Sequence, residues 1–347
     1  MTDAPTVDVH THWMPLDMSA PSGVDPARWP TLVECADGIG EIRVGDEVFR
    51  RVARECWDAA ARIAAMDKRG IDVEVLLPVP VTIDYTADPA TALAFAQLQN
   101  DRIAATVAQS GGRFVGFGSV PLQDPSMAVA ELRRVTGELG LRGVEIGASV
   151  RRRELSDPEL RPFFRTADEI GARIFVHPLD GGGAFDRCLG AREAFGIGML
   201  TDTALAATAL TFGGVLSELQ DLVVCLAHGG GSFAWCYPRL LVREMYGRDP
   251  ADAAERRKAL NALVQRLYVD SLVFQPSHLP VLDGCFGPGH VLFGSDLPFV
   301  PASDYDVLEQ AGRDRVWSPQ RIHQARTLDA SPFVGTTGVV GAYIQHA

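Results

Sequence analysis

Short β-branched runs alternate with amphipathic helical stretches along most of this 347-residue chain. The runs predict strands over Thr6–Val9, Val73–Pro78, Phe114–Val120, Gly143–Ile146, Arg173–His177, Leu222–His228, Leu267–Ser271 and His290–Ser295. Between them, Asp58–Lys68, Asp88–Ala108 and Ser126–Leu139 carry helical patterns. Asp88 and Pro89 form a start signal and Gly140 a stop signal. Strands that are apolar throughout suit a parallel sheet covered on both faces, and helical crossovers suit parallel connections. Eight such units predict closure into a single (β/α)8 TIM-type α/β barrel.

One segment breaks the rhythm. Residues 14–56 are rich in Pro, Gly and Asp, and Glu41 to Val48 suggest a small hairpin. Such an insertion after strand one is expected to cap the active-site face, where βα loops shape sites. The Gly-rich stretch from about residue 335 reads as a loose or partner-contacting tail. The net charge of −12 argues against nucleic acid or an acidic membrane surface as partner. The start Met1-Thr2-Asp3-Ala4-Pro5 lacks a signal-peptide pattern, and no stretch of eighteen apolar residues suggests a membrane span. Six cysteines without CxxC spacing read as reduced thiols of a cytoplasmic protein.

The strand ends carry the chemistry. His10 and His12 are two residues apart on a strand and so share a face. His177 ends predicted strand five, His228 strand six and Asp296 strand eight. A single histidine at a strand end is ordinary. Four histidines and an aspartate at one end of a barrel are enough to hold a divalent ion such as Zn²⁺, with one histidine to spare.

The pattern resembles the amidohydrolase superfamily. It is most similar to the family of 2-amino-3-carboxymuconate-6-semialdehyde decarboxylase-like proteins. The residues that carry the likeness begin with Val7-Asp8-Val9-His10-Thr11-His12-Trp13-Met14-Pro15, Phe49-Arg50 and Cys56-Trp57-Asp58. They continue through Leu77-Pro78-Val79-Pro80-Val81, Arg113-Phe114-Val115-Gly116, His228-Gly229-Gly230-Gly231-Ser232-Phe233 and Gly294-Ser295-Asp296-Leu297-Pro298-Phe299. The resemblance implies that His10, His12, His177 and Asp296 hold one zinc ion and that His228 acts as general base. It implies that Arg50 grips a substrate carboxylate, that Phe299 faces the substrate, and that Arg239 arrives from the second subunit of a homodimer. Arg51 competes with Arg50 for the first arginine role. Binuclear members of the superfamily carry a lysine on strand four; here that strand reads Arg142-Gly143-Val144-Glu145-Ile146-Gly147, so a single ion is expected. The implied reaction is non-oxidative decarboxylation of a small anionic unsaturated or aromatic acid.

The chain departs from the family after His177. Leu179-Asp180-Gly181-Gly182-Gly183-Ala184-Phe185 and Ala191-Arg192-Glu193-Ala194-Phe195 replace an aromatic run. A Gly181–Gly183 lid and an additional anion-binding role for Arg192 are the readings that follow, beside Arg192 as a solvated helix-start residue. Metal-activated water also serves hydrolases and hydratases, and fold does not separate these chemistries. A metal-binding scaffold with a relic site is the non-enzyme alternative.

Overall fold

The computed structural model describes residues 4–16, 18–20, 26–36, 38–179, 183–300 and 306–335. The barrel begins with β1 (Val7–Trp13). An antiparallel sheet follows, made of β2 (Pro30–Glu34), β3 (Gly40–Val44) and β4 (Glu47–Val52). Helices and strands then alternate through α1 (Ala59–Arg69), β5 (Val73–Pro78), α2 (Pro89–Ala108), β6 (Phe114–Ser119), α3 (Pro125–Gly137) and β7 (Gly143–Gly147). A two-stranded ribbon, β8 (Ser149–Val150) and β9 (Arg153–Glu154), precedes α4 (Arg161–Ile170) and β10 (Arg173–His177). The connection to β11 (Val223–Leu226) holds α5 (Ala191–Glu193), a π-helical turn at Ala194–Gly198, α6 (Met199–Phe212) and α7 (Val215–Glu218). Next come α8 (Phe233–Met245), α9 (Pro250–Val264), β12 (Tyr268–Asp270), α10 (Leu279–Phe286) and β13 (Val291–Leu292). The described chain ends with α11 (Val307–Arg313), α12 (Pro319–Arg326) and α13 (Ser331–Val334).

Eight strands pair in parallel in the order β1-β5-β6-β7-β10-β11-β12-β13. Backbone bonds from Val9 N to Phe293 O (2.9 Å), Asp296 N to His10 O (2.7 Å) and His12 N to Leu297 O (2.7 Å) join the last strand to the first. The ring is therefore closed, and the predicted TIM-type barrel is what forms. The period of two along each strand sorts its side chains. Val75, Leu77, Val115, Phe117, Phe175 and Cys225 fill the interior, while Leu76, Val144, Ile146, Ile174 and Val224 pack under the helices. Phe333 of α13 stacks on Phe117 at 5.1 Å between ring centroids and closes one end of the interior. Each such fully buried side chain contributes about 1.5–3 kcal/mol relative to exposure.

The helix starts follow from their caps. Asp58, Asp88 and Asp124 each accept backbone N–H groups of the first turn, the last two with proline at the first helical position. Differences from the sequence reading sit at strand ends. β1 runs past Val9 to Trp13, so His10 and His12 lie within it. The predicted strands His290–Ser295 and Leu222–His228 shorten to β13 and β11. After β13, Gly294 N and Ser295 N donate to the side chains of Ser271 and Asp8 rather than to a strand ladder. The predicted hairpin is a three-stranded sheet: β2 adds to it through the Leu32↔Ile42 register. Leu32, Ile42, Val52 and Trp57 pack with Met14, Val79 and Phe299, all on segments leaving barrel strands at their C-terminal ends. The stretch Ala191–Glu218 is long and apolar enough to span a membrane by composition alone, but Ala206, Ala207 and Leu210 are packed in the core. Residues 336–347, covering most of the predicted tail, and Gly181 and Gly182 lie outside the described residues.

Arg62 ties α1 to the metal-facing strand. It is 1% exposed, pairs with the buried Glu74, and donates from Nη1 to His12 O (2.8 Å) and Glu55 O (3.0 Å). Removing one partner of such a pair leaves a buried charge without its counterion. Arg62→Ala is expected to cost about 3–5 kcal/mol of stability; chemical denaturation showing less than 1 kcal/mol would contradict this.

Candidate metal centre

His10, His12, His177 and Asp296 are all buried, and one ligand atom from each lies within 4.8 Å of every other. β1 supplies two of them because His10 and His12 share the face that points to the barrel axis. Each histidine is oriented from behind. His10 Nδ1 donates to Asp270 Oδ2 (2.7 Å), His12 Nδ1 to Pro78 O (2.8 Å) and His177 Nδ1 to Pro178 O (2.8 Å). Carbonyl and carboxylate oxygens only accept, so Nδ1 carries the proton and the Nε2 lone pair is left free.

Those lone pairs converge. His10 Nε2 and His12 Nε2 are 3.2 Å apart, and Asp296 Oδ1 lies 3.1 Å from His12 Nε2 and 3.6 Å from His10 Nε2. His177 Nε2 is buried with no hydrogen-bond partner. Nitrogen lone pairs gathered around a carboxylate oxygen repel one another unless a cation sits among them. The donor set therefore fits one divalent ion, with imidazole nitrogens and a carboxylate oxygen as ligands.

Charge follows the same layout. Burial, followed by the neighbouring imidazoles, holds His177 well below the usual histidine value. His12 is also lowered, with burial outweighing the pull of Asp296. For His10, burial is outweighed by the hydrogen bond to Asp270 and the charges of Asp296, Asp270 and Asp8, so its value rises. Burial opposes the ionised form of Asp296, but its close contact with His12 and the surrounding imidazoles hold it below the carboxylate range.

His228 stands beside the set. It is the first residue after Ala227 and has φ +57, followed by Gly229, Gly230 and Gly231, all with positive φ. A Cβ on Gly231 would lie 2.1 Å from Leu200 O, and one on Gly229 2.6 Å from Val273 Cγ1, so glycine is required at both. The turn brings His228 Nε2 to 4.0 Å from Asp296 Oδ2 and its ring to 4.9 Å from that of His177. Burial and the charge of His10 lower its pKa despite Asp270 and Asp296, which keeps the imidazole neutral.

The arginines divide. Arg50 lies opposite Ile42, whose side chain is fully buried against the barrel, so Arg50 points the same way. Its guanidinium carbon is 5.4 Å from the centre of the Phe299 ring, which in turn lies 5.3 Å from the His12 ring. Arg51 alternates to the other face and approaches Glu41 at 3.7 Å. Arg239 is exposed on α8 and forms no ion pair among the described residues. Arg192 is not brought to the cluster: its side chain is 91% exposed and bound to Glu193 at 2.6 Å.

Asp270 adds to the sequence reading, and Glu145 is the strand-four residue that the sequence leaves open between approaching the site and a polar place in the barrel. Asp270 ends β12 as His177 ends β10, a polar residue closing an apolar run, and that signal was available in Tyr268-Val269-Asp270. Glu145 on β7 is wholly buried, with neither carboxylate oxygen hydrogen-bonded. Burial, then the charge of Asp296, raises its pKa well above the glutamate range, so it keeps its proton.

A donor set of three imidazoles and a carboxylate at the C-terminal mouth of a (β/α)8 barrel defines a class of metal-dependent enzymes. The chain matches the amidohydrolase family model over residues 7–319 and belongs to that family. It is 34% identical over 294 residues to 2-amino-3-carboxymuconate-6-semialdehyde decarboxylase of Dictyostelium discoideum, covering 84% of this chain and 81% of the relative. It is 26% identical over 254 residues to gamma-resorcylate decarboxylase of Polaromonas sp. (strain JS666 / ATCC BAA-500), covering 69% and 76%. Within the family it therefore falls among the 2-amino-3-carboxymuconate-6-semialdehyde decarboxylase-like proteins. Among solved structures, the fold matches IDCase of Metarhizium anisopliae with a TM-score of 0.77 at 19% identity, over 95% of this chain and 97% of that one. It also matches the dihydroxybenzoic acid decarboxylase of Polaromonas sp. JS666, solved with manganese and 2-nitroresorcinol, with a TM-score of 0.72 at 21% identity over 95% and 97%.

An acid whose folded pKa exceeds its unfolded one stabilises the fold fully only below the unfolded value, and that contribution is lost as pH rises through the folded value. Glu145→Gln is therefore expected to melt above the wild type at pH 8 in the metal-free protein. The gap should close as pH falls toward the ordinary glutamate range. A gap that does not change with pH would contradict the assignment of a protonated Glu145.

Proposed function

We propose that this chain is a metal-dependent, non-oxidative carboxy-lyase that removes CO₂ from a planar unsaturated or aromatic carboxylic acid. The observation that carries this reading is the convergence of His10, His12, His177 and Asp296 beside a neutral His228, on a scaffold shared with decarboxylases. A divalent ion held there supplies Lewis acidity for drawing water or a substrate oxygen into reaction.

The remaining steps belong to the protein. Arg50 pairs bidentately with a substrate carboxylate, and the Phe299 ring beneath it offers a flat apolar surface to a conjugated acid. The Arg50 guanidinium supplies local positive charge against a net charge of −12, which otherwise repels an anion. His228 takes a proton from water at Nε2 and gives it to the carbon that loses CO₂: the electron pair of the broken C–C bond forms the new C–H bond, the carboxylate leaves as neutral CO₂, and a solvent proton neutralises the hydroxide left from the water. Three imidazoles and a carboxylate suit zinc, the ion we propose for this protein. Six unpaired cysteines suit a reducing, cytoplasmic setting.

We infer a homodimer built on α8, with Arg239 reaching the partner's site. Trp235, Arg239 and Val242 share one side of that helix, Tyr246 follows its last residue, and Trp235, Val242 and Tyr246 are 82%, 65% and 81% exposed. An apolar stripe of this kind on a helix surface marks a protein contact.

Purified protein is expected to hold one zinc equivalent per chain by elemental analysis and to release CO₂ from such an acid without a hydrolysis product. Chelation should abolish turnover and metal return restore it. His228→Ala is expected to keep its metal and lose about 10²- to 10⁴-fold in kcat; full activity would remove the proton-transfer role. Arg239→Ala mixed with His228→Ala should regain activity through hybrid dimers. If the mixture stays inactive, the shared site is wrong.

A further inference from the structure

We propose that Asp270 is the positioning residue that couples the metal ligand His10 to His228, so that metal binding and proton transfer depend on one buried carboxylate. The inference rests on the decarboxylase reading for its kinetic part only.

Asp270 is fully buried, and protein N–H groups are directed at both of its oxygens. Oδ2 accepts from His10 Nδ1 (2.7 Å) and His228 N (2.7 Å); Oδ1 accepts from Gly229 N (3.0 Å) and Leu272 N (2.9 Å). Four donors and no acceptor face it, so the group must be a carboxylate: an amide would turn its NH₂ against two N–H groups. Successive backbone N–H groups of a turn form a concavity that binds an anion. His228 N and Gly229 N, in the turn at φ +57 and +64, both donate to Asp270, which is the anion they hold.

The two arms have separate consequences. Toward His10, the carboxylate sets the tautomer that frees Nε2 for the metal. Toward His228, it offsets the strain of a non-glycine residue at positive φ and so places the imidazole beside Asp296. Gly294 leaves room for this: a Cβ there would stand 2.8 Å from Asp270 Cβ and 2.9 Å from His10 Cβ. A merely structural aspartate would support the fold without governing both the ligand and the base.

The test uses Asp270→Asn and Asp270→Glu in the full-length protein, each checked for folding by circular dichroism and thermal melting. Zinc affinity is measured by competition with a chromogenic chelator, and the ligand field by the visible spectrum of the cobalt-substituted protein. Neither readout needs a substrate. Asp270→Asn should weaken zinc about 10- to 100-fold and alter the cobalt spectrum. At saturating metal, its kcat should still fall by about 10²-fold or more with KM little changed, because His228 is displaced. Asp270→Glu keeps the charge; it should bind zinc more tightly than Asp270→Asn while remaining slow, and it keeps the test open if Asp270→Asn does not fold. Folded variants with wild-type zinc affinity and cobalt spectrum would overturn the ligand arm. Wild-type kcat at saturating metal would overturn the His228 arm. Failure of every protein to release CO₂, with the metal results as expected, would instead count against the reaction assigned above.

Discussion

Everything at the mouth of this barrel depends on where three Nδ1 protons go. Pro78 O, Pro178 O and Asp270 each take one, and by doing so aim three Nε2 lone pairs at Asp296. Two of these acceptors are main-chain carbonyls at strand ends, which cannot rotate away. The orientation of His12 and His177 is thus written in backbone geometry, while that of His10 rests on the Asp270 side chain.

The fold converts distant sequence into that geometry through strand closure. β1 and the segment after β13 exchange backbone bonds around His10, His12 and Asp296, so the ladder that closes the barrel also sets the spacing of three ligands. Arg62 extends the dependence outward by bonding His12 O from α1. Packing, closure and metal geometry are therefore aspects of one arrangement, while Arg50 arrives on a separate small sheet that touches the barrel through Phe299 and its neighbours. Arg50 and the metal ligands therefore stand on physically separate elements.

The barrel and the ligands were legible in the sequence because both rest on strong periodic signals. Apolar runs of fixed length report buried parallel strands, and polar residues at their ends stand out against them. The third strand of the insertion was missed: Pro30–Glu34 is short, and only Pro30 and Leu32 are buried, so its pattern is faint. The ends of β11 and β13 were overextended because Ala227–Gly231 and Gly294–Asp296 continue to look apolar or small while their backbones leave the ladder. Asp270 carried the same strand-end signal as the ligands, but an aspartate alone does not announce that its partners are N–H groups. Arg50 could be told from Arg51 only once the pairing with Ile42 showed which face each one uses.

The span of the donor set has a consequence for how the enzyme is made. His10 and His12 lie near the start of the chain and Asp296 near its end, brought together only by the β1–β13 contact. A nascent chain offers the cation two histidines early, a third at residue 177, and no carboxylate until the last barrel strand has emerged. Stable loading must await closure, when the cost of joining the ends has already been met by packing. An ion held there then acts as a late clasp across the seam where the two ends of the barrel meet.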